Sequence, residues 1–366
     1  AGEALRGGGE TLASVRPGVQ VDVTREPVGV VALITSWSAP LSIAARKIAP
    51  ALAFGNSVVF KPSELVPACS WMLAEIISRA ALPAGAFNLL MGSGRELGAT
   101  LVESPQVDAV SFTGSAAVGA RVLQGAAKRR TRVQLEMGGS NALVVMGDAD
   151  LERAVECALG GAYSWGGQRC TASSRLIVEA PLHDAFVARL RQRVAALRVG
   201  HALEEGVEMG PLVDAPHLER HLEAVRGARE EGAELLCGGE ALNQPSRGHY
   251  MSPALFLAQP QHRIARDEIF GPLSCVLRAD DYEHALALAN DTPWGLVAGI
   301  CTRSLAHATH FRRRAKVGMT MVTLPTTSED HHVPFGGRKA SGYGPRAQGR
   351  QAAEFYTVLK TGYMLA

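Results

Sequence analysis

The chain has 366 residues, of which 47% are hydrophobic and 20% are charged. This is the composition of an ordinary globular protein, and the length suits two domains of about 100–200 residues each. The 37 basic and 35 acidic residues are mixed along the chain and give a net charge of +2, so we expect neither a nucleic-acid surface nor a membrane patch.

The six cysteines are widely spaced, at positions 69, 157, 170, 237, 275 and 301. They form no CxxC pair and no Cys/His ligand spacing, so neither a disulfide framework nor a metal site is predicted. Free thiols are typical of a cytoplasmic protein. No apolar run reaches the roughly 18 residues that are needed to span a bilayer.

In chain order, short apolar runs rich in β-branched residues alternate with helical patterns. The run VGVVALI (28–34) indicates a buried strand, followed by a helix that ends at Gly55. NSVVFKP, AFNLLMG and VDAVSFTG indicate further strands with helices between them, and the alternation resumes after Asp150. This pattern predicts an α/β fold in which helices cover both faces of a parallel sheet. GVQVDVTREP and FYTVLKTGYM alternate like exposed strands, which predicts pairing with each other or with another chain.

Cys170 lies in GGQRCTASSR, between small, polar and flexible residues. These flanks suit a loop that opens a helix, where outward N–H groups lower the pKa of a thiol and serve as oxyanion donors. The alternative is a small core hydrophobe, the usual role of a free cysteine. Local sequence alone leaves both open.

Two carboxylates follow apolar stretches and precede glycine. Glu136 in VQLEMGG is either a turn or capping residue or a half-buried base with a raised pKa. Glu268 in DEIFGP is either a turn acid or a contact to a ribose or a nicotinamide beside Phe270.

No GxGxxG motif precedes a helix, but two shorter candidates for phosphate binding do. GSG (92–94) and FTGS (112–115) each follow a predicted strand and precede a predicted helix, where backbone amides and the helix dipole hold pyrophosphate. Lys61 and Glu64 end the second strand, where an acid commonly binds the adenosine ribose in doubly wound folds.

The ordered series WSAP, FKPSE, GSG, FTGS, LEMGG, GQRC, DEIFGP and PFGGRKASG resembles the aldehyde dehydrogenase superfamily from about residue 9 to the C-terminus. GQRCTASSR and HVPFGGRKASGYGPRAQG are most similar to the 2-oxoglutarate semialdehyde dehydrogenases. The resemblance implies two Rossmann-like, doubly wound parallel-sheet domains: an NAD(P)-binding domain at 28–138 and a catalytic domain at 139–340. It implies a small β oligomerisation element formed by 9–27 and 356–366, and that an N-terminal portion of the family fold is absent.

The resemblance also implies roles for individual residues. Cys170 would attack the aldehyde and Glu136 would act as the base, with hydride passing to a nicotinamide and leaving a thioester. Arg46 would pair with the carboxylate of an acidic aldehyde and Phe335 would line the aldehyde pocket; the alternative for Arg46 is a surface helix arginine. The residues implied in cofactor binding are Thr35, Ser36, Trp37, Lys61, Glu64, Gly94, Gly114, Ser115, Gly138, Glu268 and Phe270. Glu64 favours NAD because a carboxylate repels a 2′-phosphate, although NADP stays open. A homodimer or homotetramer is implied.

Three positions depart from the family pattern. Ser38 replaces the asparagine whose amide donates to the developing oxyanion, and Ser140 and Thr323 replace a lysine and an asparagine. Two further hypotheses follow. Besides an active dehydrogenase, the chain could be a catalytically impaired relative that retains nucleotide binding or serves as an oligomeric partner. It could also be an acyl-transferring variant, in which coenzyme A replaces water in the attack on the thioester. Glu136 favours hydrolysis over the second of these.

Overall fold

The computed structural model describes residue 2 and residues 6–365, which form two compact units. The first unit takes the chain as far as Met137 and returns at Asp330–Gly336 and from Gly342 onward. The second unit comprises Gly138–Glu329 and Gly337–Ser341. None of the helices in the described residues is long and apolar enough to span a membrane.

The first unit opens with two strands and continues as an alternation of strands and helices. In chain order these are β1 (Glu10–Ala13), β2 (Val19–Pro27), β3 (Val30–Ile34), α1 (Pro40–Ala53), β4 (Ser57–Lys61), α2 (Pro67–Ser78), β5 (Phe87–Leu89), α3 (Gly94–Glu103), β6 (Ala109–Gly114), α4 (Ala116–Ala127) and β7 (Arg132–Met137).

The second unit contains nine strands and six helices among its described residues. In chain order these are β8 (Asn141–Val145), α5 (Leu151–Ala162), β9 (Ser173–Glu179), α6 (Ala180–Ala195), α7 (Ala215–Glu230), β10 (Glu234–Cys237), β11 (Ala241–Leu242), β12 (Tyr250–Met251), β13 (Ala254–Leu257), α8 (Arg263–Arg266), β14 (Leu273–Ala279), α9 (Tyr282–Asn290), β15 (Val297–Cys301), α10 (Leu305–Arg314) and β16 (Met319–Val322). The first unit is then completed by β17 (Gly342–Tyr343), α11 (Ala352–Tyr356) and β18 (Thr357–Leu365).

The main sheet of the first unit has the strand order β17-β7-β6-β3-β4-β5, with β3 to β7 parallel and β17 antiparallel to β7. The chain runs outward from β3 through β4 and β5 and then crosses to β6 on the other side of β3. Ligands of open α/β sheets bind at such a reversal, beyond the carboxyl ends of the strands. The segments that follow β3 and β6 are therefore the expected binding positions.

Alternating side chains of the central strand explain why helices cover both faces of this sheet. Val31 and Leu33 pack into a core with α1 and α11, whereas Ala32 packs into a second core with α3 and α4. Each strand thus buries both of its faces, which accounts for the continuous apolar runs in the sequence.

A separate three-stranded sheet of the first unit has the order β1-β2-β18. β2 and β18 pair antiparallel from Val19–Leu365 to Pro27–Thr357. The two alternating segments near the ends of the sequence therefore pair with each other, as one of the two alternatives predicted.

The main sheet of the second unit has the order β10-β13-β14-β9-β8-β15-β16, and all its neighbouring strands except β10 and β13 are parallel. Helices α5 and α6 pack on one face of it, and α7 to α10 supply the core of the other face. Each unit is thus a doubly wound sheet, as the sequence predicted.

Candidate active site

The segments after β3 and β6 form the expected binding edge of the first unit. Trp37 is half-buried just beyond β3, and Ser115 caps α4 by accepting the N–H of Val118 at 3.4 Å. A Cβ atom on Gly114 would stand 2.5 Å from Cζ of Phe112, so this turn requires glycine. The N-terminus of α4 therefore lies at the strand reversal, a position that suits an anionic ligand.

Lys61, Glu64 and Gly94 meet at the carboxyl end of β4. The Lys61 ammonium is buried and lies 3.1 Å from one oxygen of Glu64, and the Gly94 N–H donates to the other oxygen at 3.4 Å. Burial would raise the pKa of the Glu64 carboxyl, but its hydrogen bonds and the Lys61 charge hold it below the usual value. A partly exposed, ionised carboxylate is thereby fixed where it can accept hydrogen bonds from ribose hydroxyls.

Ser38 occupies the position where the family pattern has an asparagine. Its side chain is buried, and its Oγ lies 3.0 Å from Oγ of Ser36. Ala39 follows in the left-handed region, with φ of 44°, and caps α1. The strand end Thr35 is held by its N–H, which donates to the Lys61 carbonyl at 3.2 Å. The hydroxyl of Ser38 is therefore already engaged with Ser36 and is shorter than an amide.

On the hypothesis from the family pattern that position 38 faces the oxyanion, we expect Ser38→Asn to raise kcat, because it provides a side-chain amide that can donate there. An oxyanion donor contributes on the order of 10²–10³ in rate, which is the upper limit of the gain. Ser38→Ala serves as the control and should not raise kcat. Steady-state kinetics of both variants with one aldehyde test the assignment, and an unchanged kcat for Ser38→Asn would remove position 38 from the oxyanion site.

Arg46 and Phe335 are in contact within the first unit. The guanidinium carbon of Arg46 lies 4.7 Å from the centre of the Phe335 ring, and Nη2 lies 3.4 Å from Oγ of Ser42. Nε of Arg46 is buried, and no described residue accepts a hydrogen bond from it. Phe335 is fixed by two main-chain hydrogen bonds with Ala347, of 2.9 and 3.0 Å. The Arg46 guanidinium therefore packs on an aromatic face while its Nε–H has no acceptor among the described residues, an arrangement that suits a carboxylate ligand.

Glu136 lies on β7 and is buried, and Gly336 packs directly against it. A Cβ atom on Gly336 would stand 2.6 Å from Oε1 of Glu136 and 2.7 Å from a guanidinium nitrogen of Arg346. Glycine is required there, because its φ of 149° and these contacts leave no room for a side chain. The Glu136 carboxylate is therefore shielded from bulk water.

A buried lysine near Glu136 was not predicted from the sequence. Lys47 on α1 donates to Oγ of Ser111 at 2.6 Å, and Ser111 donates to Oε1 of Gln134 at 2.7 Å. Burial lowers the pKa of Lys47 to about 7, against the raising effect of the Glu136 carboxylate. The available signal was a lysine on the apolar face of a helix, in AARKIAPAL.

In the second unit, Cys170 is a half-buried cysteine that forms no disulfide, on the loop that precedes β9. The expectation that this loop opens a helix is wrong, since it leads into a strand and follows a short 3₁₀ turn at Ser164–Gly167. Trp165, Gly166 and Gly167 have successive positive φ angles of 56°, 63° and 63°. A Cβ atom on Gly167 would stand 2.1 Å from a carbonyl oxygen, so the glycine pair before Cys170 shapes this turn.

Arg169 anchors the Cys170 loop on its N-terminal side. Its guanidinium carbon lies 4.5 Å from the centre of the Trp165 ring, and Nη2 bonds Glu329 at 2.8 Å and the Thr327 carbonyl at 3.2 Å. Both ion-paired side chains are mostly buried, with 18% and 13% of their surfaces exposed. The residue before the nucleophile candidate is therefore engaged by neighbouring protein groups.

Gly138 and Glu268, two predicted cofactor residues, are packed together. The Gly139 N–H donates to Oε1 of Glu268 at 3.2 Å, and a Cβ atom on Gly138 would stand 1.5 Å from that oxygen. Burial raises the pKa of Glu268 to about 7, although the Gly139 bond opposes the rise. Phe270 adopts a φ of 57°, and its carbonyl oxygen lies 3.2 Å from Nε2 of His221.

The two remaining departures from the family pattern also have identifiable contacts. Oγ of Ser140 lies 3.0 Å from Oγ of Ser174, and the Ser140 carbonyl accepts two hydrogen bonds from the buried Arg175. Thr323 has a φ of 53°, and its carbonyl accepts from Arg153. Both positions are thus integrated in the second unit by local hydrogen bonds.

Comparison with known proteins bears directly on these sites. Residues 1–362 match the model of the "Aldehyde dehydrogenase family". The chain is 41% identical over 364 residues to a 2,5-dioxopentanoate dehydrogenase of Saccharolobus solfataricus, covering 98% of this chain and 76% of that protein. It is 39% identical over 368 residues to an alpha-ketoglutaric semialdehyde dehydrogenase of Bacillus subtilis, covering 100% and 75%.

Solved structures give the same answer for the fold. A betaine aldehyde dehydrogenase from Staphylococcus aureus in complex with NAD+ superimposes with a TM-score of 0.95 at 34% identity, covering 100% of this chain and 73% of that one. A putative aldehyde dehydrogenase from Burkholderia cenocepacia gives 0.96 at 37% identity, covering 99% and 74%. The predicted aldehyde dehydrogenase-like fold is confirmed, and the chain belongs to the aldehyde dehydrogenase family.

Proposed function

We propose that this chain oxidises an acidic semialdehyde, such as 2-oxoglutarate semialdehyde, to the carboxylate, with NAD as hydride acceptor. The observation that best supports this proposal is the contact between Arg46 and Phe335. The guanidinium of Arg46 lies 4.7 Å from the centre of the Phe335 ring, and its buried Nε has no hydrogen-bond acceptor among the described residues. An arginine in that state selects a substrate with an anionic tail. The relatives with 41% and 39% identity are named 2,5-dioxopentanoate dehydrogenase and alpha-ketoglutaric semialdehyde dehydrogenase, which supports this substrate class.

The residues of the first unit fit a dinucleotide. The N-terminus of α4 would hold the pyrophosphate, and Lys61 and Glu64 would hold the adenosine ribose. The Glu64 carboxylate favours NAD, since it would repel the 2′-phosphate of NADP, and a structural neighbour was solved with NAD+. When bound, NAD would accept the hydride on its nicotinamide ring. Gly138, Glu268 and Phe270 are proposed to position that ring.

Cys170 and Glu136 are proposed to act as the nucleophile and the base of the reaction. The Cys170 thiol first loses its proton, and the Sγ thiolate then attacks the aldehyde carbon to form the oxyanion of a thiohemiacetal, to which the Cys170 N–H donates. Loss of hydride from this adduct leaves a thioester on Cys170. Glu136 takes a proton from the water that attacks the thioester, which releases the acid and restores the thiol. Glu136 is thus the observation that favours hydrolysis over transfer to coenzyme A.

We expect Arg46→Ala to raise KM for acidic semialdehydes about 10- to 100-fold, because a charge-assisted pair contributes roughly 1.5–3 kcal/mol. KM for a neutral aldehyde of similar length should change less than about threefold. NADH formation with both substrates measures this effect. Arg16→Ala is the control, because Arg16 is an exposed arginine outside the proposed substrate site. An equal effect on both aldehydes would contradict a carboxylate contact.

Two further parts of the proposal concern assembly and location. β18 is an edge strand that exposes large apolar side chains, including Leu359, Tyr363 and Leu365, and such an edge pairs readily with another chain. We propose a homodimer or homotetramer, which light scattering measures directly. No disulfide joins the six cysteines, all of which lie in the described residues, and this supports a location in the cytoplasm.

A further inference from the structure

Asn141 at the start of β8 makes three hydrogen bonds through one buried side-chain amide. Nδ2 donates to the carbonyl oxygens of Cys170 at 2.8 Å and Ala172 at 2.9 Å. Oδ1 accepts the N–H of Val297, the first residue of β15, at 3.2 Å. Only 2% of Asn141 is exposed. Because a main-chain N–H can only donate, the Val297 bond identifies the oxygen, and both amide hydrogens are directed at the Cys170 loop.

The carbonyls of Cys170 and Ala172 precede β9, which begins at Ser173, and the strand pairing beside them is irregular. β8 and β9 pair Asn141 with Ser173 and Ala142 with Arg175, so Ser174 is an extra residue on β9. The Cys170 and Ala172 carbonyls lie before the first pair of the β8–β9 ladder, Asn141–Ser173, so their donors come from a side chain. Buried carbonyl groups without partners are costly, so a side chain has to supply the donors. Asn141 does so from the neighbouring strand.

The Thr171 carbonyl, which lies between those of Cys170 and Ala172, is held by the side chain of Thr326. Oγ1 of Thr326 donates to the Thr171 carbonyl at 2.7 Å and lies 2.7 Å from Oγ of Ser173. Three successive carbonyls, from Cys170 to Ala172, are therefore held by side chains of other segments. The peptide plane that follows Cys170 is locked, which restricts the direction of its side chain.

We propose that Asn141 is a positioning residue that holds Cys170 in its reactive orientation. This inference rests on the proposed function of Cys170 as the nucleophile. Asn141 does not touch the reacting atoms and acts through the Cys170 carbonyl. Its side chain ties the nucleophile loop to β8 and β15, so the thiol keeps one direction without any rearrangement during the reaction.

The chain offers a matched control in Asn56. This residue is also buried, and Nδ2 donates to the carbonyls of Ala51 and Tyr356 at 3.0 Å each, while Oδ1 accepts the Gly29 N–H at 3.0 Å. Asn56 therefore has the same three-bond pattern in the other unit, with no bond to the Cys170 loop. Both Asn→Ser substitutions should lower the melting temperature by similar amounts.

The test compares Asn141→Ser and Asn56→Ser in the full chain. For Asn141→Ser we expect kcat to fall about 10- to 100-fold with KM for the aldehyde nearly unchanged, since small misplacements of a reacting group cost up to about 10² in rate. Alkylation of Cys170 by iodoacetamide, located by peptide mass spectrometry, should slow several-fold. Asn56→Ser should retain wild-type kcat and alkylation. Asn141→Asp keeps the shape and loses both donor hydrogens, so it should be at least as impaired.

The outcomes separate this inference from the proposed function. If Cys170→Ser, measured in parallel, keeps turnover, both fail. If Cys170→Ser is inactive and either Asn141 variant matches Asn56→Ser in kcat and alkylation, the positioning role alone is overturned. Should Asn141→Ser not fold, the Asn141→Asp comparison decides by the same readouts, and full activity of that variant overturns the role.

Discussion

Cys170→Ser is expected to abolish NADH formation from any aldehyde, with a loss of about 10⁴-fold or more. A serine hydroxyl without a strong neighbouring base is a far weaker nucleophile than a thiolate, and removing the nucleophile of a covalent mechanism removes nearly all of its rate. Cys170 is half-buried, as are Cys69 and Cys237, whereas Cys157, Cys275 and Cys301 are fully buried.

Nucleotide binding should survive the same substitution. The proposed adenosine contacts lie at Lys61 and Glu64, and none of their bonds involves Cys170. Titration of NAD into wild-type protein and Cys170→Ser, followed by fluorescence or calorimetry, should give dissociation constants within about twofold. Cys69→Ser is the control thiol and should keep full turnover. Wild-type turnover by Cys170→Ser would contradict the covalent mechanism.

Glu136→Gln is expected to lower kcat by about 10²–10⁴, the range that a general base contributes. Glutamine keeps the size of the side chain beside Gly336, so the packing of β7 is retained while the basic oxygen is lost. Near Lys47 the substitution also removes the carboxylate that raises the pKa of that buried ammonium.

Pre-steady-state kinetics locate the step that Glu136 serves. A burst of NADH followed by very slow turnover would assign Glu136 to hydrolysis of the thioester. Loss of the burst itself would assign it to activation of the thiol. Glu103→Gln, which alters only an exposed ion pair with Lys128, is the matched control. Full activity of Glu136→Gln would contradict its role as a base.

The alternation of strands and helices could be predicted because both faces of each strand are buried and the resulting apolar runs are continuous. That the motif residues share one edge of a parallel sheet could be predicted for the same reason, since Lys61 ends β4, and Trp37 and Ser115 follow β3 and β6. The prediction failed at Cys170, where small polar flanks resemble the start of a helix. The loop instead follows three left-handed residues, Trp165, Gly166 and Gly167, and leads into β9.

The missed residues depend on partners that are distant in sequence. Lys47 lies 64 positions from Ser111, and Asn141 lies 29 positions from Cys170. No local pattern indicates such contacts, because a buried lysine or asparagine acquires its role only when the strands that carry its partners have paired. The packing of Glu268 against Gly138 could not be predicted either, because the two residues are distant in sequence. The need for glycine at position 138 follows from that contact.

The most direct test of the account is to trap the covalent intermediate. The protein is mixed with NAD and 2-oxoglutarate semialdehyde, quenched in acid within the first turnover, digested, and analysed by mass spectrometry. The peptide that contains Cys170 should carry a 2-oxoglutaryl thioester when NAD is present, in an amount that matches the NADH burst, and 2-oxoglutarate should form without coenzyme A. NADH production with no adduct on Cys170, or nucleotide binding with no NADH from any semialdehyde, would contradict it.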